Sequence, residues 1–149
     1  MAVIDTTPTA RVLVITDHVL PSTDLVEAMR HRVATGQVQF RLVVLNPAHS
    51  EFHLLHPERR VKAAEAERAL RDALPVLEEA AGGHVIASVS VRHDPMDAIE
   101  ETLFSEPIDE ILISVPHHRI AERLHQDLPH RLHHYGLPVE VIPEQPVGR

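Results

Sequence analysis

Two stretches, Arg11-Val-Leu-Val-Ile-Thr16 and Asp109-Glu-Ile-Leu-Ile-Ser114, restrict the fold of this chain more than any other part of it. Each is an unbroken apolar run, rich in β-branched residues and too short for a buried helix. Turn formers follow both: Asp17, His18 and Pro21 after the first, Val115-Pro116 after the second. A strand that is apolar on both faces needs a packing layer above and below it, and parallel sheets wrapped by helices provide that. In such a sheet the ligand crevice opens beyond the carboxyl ends of the strands. Asp17 and His18 are therefore expected at its mouth from the first run, and Ser114, Val115, Pro116, His117 and His118 from the second.

The intervening sequence supplies the helices. Ser22, Thr23 and Asp24 offer N-caps, Glu27 follows Asp24 at capping-box spacing, and Leu25, Met29 and Val33 recur at fours before Gly36. Gln39 to Leu45 reads as the next strand, ended by Asn46-Pro47. Glu58 to Ala81 is rich in Ala, Glu, Arg and Leu and is stopped by Gly82-Gly83. Pro75, which lacks an N–H, is expected to kink this helix or split off its last turn. His84 to Val91 alternates as a half-exposed strand near an edge. Asp94-Pro95 opens a further helix with Ile99 and Leu103 inward. After the second apolar run, Arg119 to Tyr135 predicts a short helix and then another. Leu137 to Ile142 predicts a last strand ended by Pro143.

This alternation predicts one domain: an open five-stranded parallel sheet, Rossmann-like, with helices on both faces and strand order 3-2-1-4-5. Residues 1–10 and 144–149 read as tails around a domain spanning 11–143. With 149 residues, 44% of them hydrophobic, the chain can bury roughly 68–70% of its unfolded surface. No apolar run approaches the roughly 20 residues of a membrane span, and the first residues do not resemble a signal peptide, so no membrane is expected. The absence of cysteine excludes thiolate chemistry and agrees with a cytoplasmic protein. A formal net charge of −8 and few aromatic residues argue against nucleic acid as a partner.

The glycines narrow the function further. Gly36, Gly82, Gly83 and Gly136 fall where helices end, whereas phosphate cradles need glycine where strands give way to helices. Proline occupies that side instead, at Pro21, Pro47, Pro95 and Pro116. Neither GxGxxG nor the P-loop pattern occurs. Candidate crevice residues are Asp17, His18, Asn46, His93, Asp94, Ser114, Pro116 and His117. Asp17 is equally at home as a turn former, Asn46 is more often a turn former than a ligand contact, and Ser114 is more often a strand-end serine bonded to backbone. No GxSxG elbow surrounds Ser114.

Four segments in order, RVLVITD, HDPMDAIEE from His93 to Glu101, DEILIS and GLPVEVIP, resemble the universal stress protein family. The resemblance spans Arg11 to Pro143. It implies an adenine nucleotide alpha hydrolase-like fold, with Asp17 standing where the family has an Asp near adenine. Asp94-Pro95 matches the family's Gly-Asp-Pro helix start, with His93 in place of the glycine. The resemblance also implies a homodimer through Leu137 to Ile142, an expectation that the edge position of the strand shares. ATP-binding members follow the fourth strand with a glycine-rich segment, but SVPHHRIAERLHQDLPHRL has no glycine, and Asp127 and Pro129 lie where amides would meet phosphate. ATP and AMP are therefore expected to bind weakly or not at all through that motif, as in the family's non-ATP branch.

Thirteen histidines remain to be explained. His49 with His53, and His130 with His134, have the i,i+4 spacing that sets two imidazoles on one helix face, and His117 and His118 adjoin the crevice. A divalent-metal or anion site, or a pH-sensitive surface, is one reading. Surface histidine in a chain whose only lysine is Lys62 is the commoner one, since no HExxH motif accompanies the pairs. The sequence thus supports a non-catalytic binding or regulatory protein of the universal stress type, with the small-molecule ligand unspecified. The alternatives are a small metal-dependent hydrolase or transferase using loop histidines, and a weak adenine-nucleotide binder.

Overall fold

The computed structural model describes residues 9–17, 22–45, 58–90, 95–114 and 135–142, with side chains from residue 64 onward in the third segment. Its elements are β1 (Ala10–Thr16), α1 (Thr23–Ala34), β2 (Val38–Val44), α2 (Glu58–Ala81), β3 (Val85–Val89), α3 (Pro95–Ser105), β4 (Glu110–Ser114) and β5 (Val139–Val141). The strands form one five-stranded sheet in the order β3-β2-β1-β4-β5. All its pairings are parallel, with Val14 aligned between Leu42 and Leu112 at the centre. This is the predicted single-domain α/β architecture. No described helix is long and apolar enough to cross a membrane.

Strand alternation divides the core into two layers. Val12, Val14, Phe40, Leu42, Val44 and Leu112 project to one face, where Leu25 and Met29 of α1 and Leu70 and Leu77 of α2 cover them. Leu13, Ile15, Val43, Ile111 and Ile113 project to the other, against Met96, Ala98 and Ile99 of α3. The continuous apolar runs of β1 and β4 are thus explained by burial on both sides.

Local signals set the helix ends. Ser22 caps α1, its hydroxyl accepting from the Leu25 N–H at 3.1 Å. Two glycines close α2: Gly82 N–H donates to the Glu79 carbonyl and Gly83 N–H to the Glu78 carbonyl, with Gly82 at φ +71°. That is the Schellman arrangement, and an L side chain at Gly82 would be strained. Pro75 does not split α2, which runs unbroken from Glu58 to Ala81. Flanking turns that bury Ala73, Leu77 and Ala80 hold the helix through the missing bond.

Several boundaries differ from expectation by a residue or two. β2 runs Val38–Val44 rather than Gln39 to Leu45, because Val38 pairs with Ala10. β3 is confined to Val85–Val89 and β5 to Val139–Val141, the lengths over which their neighbours offer partners. The helices predicted over residues 119–134 lie outside the described residues.

Charged side chains tie the amino end of the sheet together. The Asp109 N–H donates to the Arg11 carbonyl at 2.8 Å, and the Arg11 N–H donates to Asp109 Oδ2, also at 2.8 Å. The acidic lead-in to β4 therefore extends its pairing with β1. Glu106, just after α3, accepts from Arg11 Nη2 at 3.3 Å and from Arg41 Nε at 2.8 Å. On the opposite face Glu110 accepts from Arg32 Nε at 2.8 Å, linking β4 to α1.

Candidate functional site

The carboxyl ends of β1 and β4 meet where the strand order reverses: β1 continues to β2 on one side and adjoins β4 on the other. That reversal opens a crevice in sheets of this type. Thr16 and Ser114 are aligned in register there and are buried, at 2% and 1% exposure. By alternation both hydroxyls share the face of Leu112 and Val14, the face covered by α1. Asp17 follows directly and is half-buried. The Thr16 carbonyl accepts from the Leu45 N–H at 2.8 Å, and the Val44 carbonyl from the Ser90 N–H at 2.7 Å, so the rim is fixed beyond the strands themselves.

The polar groups at this end of the central strands are thus two buried hydroxyls and, one residue beyond β1, a half-buried carboxylate. Of the predicted crevice residues, Asp17 and Ser114 are described: Ser114 is aligned with Thr16, and Asp17 directly follows Thr16. His18, Asn46, His93, Asp94, Pro116 and His117 lie outside the described residues, as do the metal candidates His49, His53, His118, His130 and His134. Among the described residues no group of three or more metal-ligating side chains converges.

Two further concavities draw on residues that the sequence did not single out as site residues. One, of about 310 Å³, lies between α2 and the β3 edge and is lined by Glu67, Leu70, Arg71, Leu74, Ala87 and Ser88. The other, of about 390 Å³, lies between α1 and β5 and is lined by Glu27, Ala28, His31, Arg32, Glu140 and Ile142. Both have the size of small-ligand clefts. The only advance signal for either was the edge position of β3 and β5, because their walls come from segments distant in sequence.

The fold defines the class as open parallel α/β proteins, in which ligand sites lie at the strand-order reversal. No protein-family model matches the chain, and no curated protein matches it.

Proposed function

We propose that this chain is a universal stress protein-like binding or regulatory protein without catalytic chemistry, working in the cytoplasm as a homodimer through β5. The observation that supports the reading is the position of Asp17: it directly follows the middle strand of the sheet, at the strand-order reversal, next to Thr16, which is aligned with Ser114. The ordered segments that resemble the family, from RVLVITD to GLPVEVIP, support the same reading. The ligand in this reading is a small polar molecule. It is not ATP held in the usual way, because the segment after β4 has no glycine and, by the family resemblance, has Asp127 and Pro129 roughly where glycine and serine amides would meet phosphate.

Thermal unfolding in millimolar ATP, AMP or zinc, with metal analysis after gentle dialysis, tests this reading. A ligand that binds only the native state adds about 2.7 kcal/mol at a hundredfold excess over its Kd. The expected result is no such gain with ATP and no retained metal. A clear rise in melting temperature with ATP would restore a nucleotide-binding function, and one retained zinc per chain would favour a metal-dependent enzyme.

A further inference from the structure

The cleft between α2 and the β3 edge owes its depth to one small side chain. Val85, Ala87 and Val89 alternate toward the α2 layer. Ala87 is aligned with Leu42, and Leu42 with Val14, so this row across the sheet ends in a methyl group where its inner members are branched. Leu70 and Leu74, about one turn apart on α2, complete the apolar lining; Leu70 is buried, and Leu74 and Ala87 are half-buried. Protein cores are close-packed, so an apolar recess of about 310 Å³ at the margin of one is space that a ligand side chain can fill.

β3 is fixed at both of its ends. At the amino end the Val85 N–H donates to Glu78 Oε2 at 3.3 Å, which ties the strand to α2. Past the carboxyl end the Ser90 N–H donates to the Val44 carbonyl at 2.7 Å. A cleft with fixed walls costs little ordering when it is filled.

Two opposite charges share the lining. Glu67 and Arg71 stand at i,i+4 spacing on α2, and both are exposed. A glutamate and an arginine so spaced ordinarily pair along a helix. Among the described residues neither side chain has an ion-pair or hydrogen-bond partner. Other α2 carboxylates are engaged: Glu79 with Arg30 at 3.9 Å, and Glu78 with the Val85 N–H.

We infer that this cleft binds a free α-amino acid with an aliphatic side chain, its ammonium at Glu67, its carboxylate at Arg71 and its side chain on Leu70, Leu74 and Ala87. The three groups of such a zwitterion leave one carbon, and the cleft offers an anion, a cation and an apolar recess within about two turns of α2. An uncharged apolar ligand leaves both charges unused, as does the interior of a peptide. A simple anion or cation meets one charge of its own sign. The site lies two strands from the strand-order reversal and depends on neither Asp17 nor the dimer.

Amide chemical-shift titration of the folded full chain with leucine tests this, beside 4-methylpentanoate, which lacks the ammonium, and 3-methylbutylamine, which lacks the carboxylate. Millimolar leucine should give saturable shifts at Leu70, Arg71, Leu74 and Ala87 to Val89. Each analogue should bind roughly two- to fivefold more weakly, the scale of one exposed ion pair. Glu67→Gln should erase leucine's advantage over the acid, and Arg71→Gln its advantage over the amine. Ala87→Ile, which fills the recess, should abolish the response while the fold is retained or stabilised. Shifts confined to other parts of the protein, equal affinity for all three compounds, or an Ala87→Ile chain that still binds leucine would each overturn the site. Should Ala87→Ile not fold, the Glu67→Gln and Arg71→Gln comparisons decide the question.

Discussion

The two edge strands of the sheet differ in how they are held. β3 is anchored on both faces: Val85 packs against the α2 layer, and on the other face Arg41 Nη1 donates to the Leu42 and Ile86 carbonyls while Glu106 holds its Nε. β5 is three residues long, and all three are exposed. Both edges leave main-chain groups unpaired among the described residues, and both carry exposed apolar side chains: Ile86, 45% exposed, on β3, and Val139 and Val141, 36% and 43% exposed, on β5. What separates the two edges is anchoring: β3 is bounded by α2 and the Arg41 guanidinium, whereas all three residues of β5 are exposed. The comparison makes β3 the more firmly anchored edge and leaves β5 as the edge on which the proposed dimer depends.

Substitutions at the two edges should separate these roles. The largest effect is expected at Leu77, 1% exposed under β2 and β3: Leu77→Ala should lower unfolding free energy by about 2–5 kcal/mol in urea titration. Glu106→Ala leaves Arg11 and Arg41 facing one another without their shared carboxylate, for an expected loss of about 1–2 kcal/mol by the same titration. Arg32→Ala breaks the half-buried pair with Glu110 and should lose about 1 kcal/mol, less at high salt. A loss as large as that at Leu77 would mean that the α1 side, beside β5, carries as much stability as the β3 side. Val141→Arg, on an exposed edge, should change stability by less than about 0.5 kcal/mol.

The contrast also shows what the sequence could convey. Strand order and the two-layer core were legible because double burial leaves an unbroken apolar run, as in Val12 to Ile15, and helix spacing leaves Leu25 and Met29 at fours. Ser22 and Gly82-Gly83 were legible as local cap chemistry. The amino-end charges were not, because Arg41 meets Glu106 across 65 residues and Arg11 meets it across 95, and no local spacing rule reaches that far. At the crevice, Asp17 and Ser114 could be placed from strand ends alone. The alignment of Ser114 with Thr16 follows from a register that only the folded sheet defines. The α1–β5 groove was hidden for the same reason, since Arg32 and Glu140 come together only through β4.

The account depends most on the claim that β5 is an association edge. Light scattering on the purified chain at micromolar concentration measures it directly. The parent protein should give twice the 16.7 kDa of one chain, and Val141→Arg, folded to the same degree, should give one. A parent protein with the mass of a single chain would contradict the dimer, and a dimer that survives Val141→Arg would place the interface elsewhere.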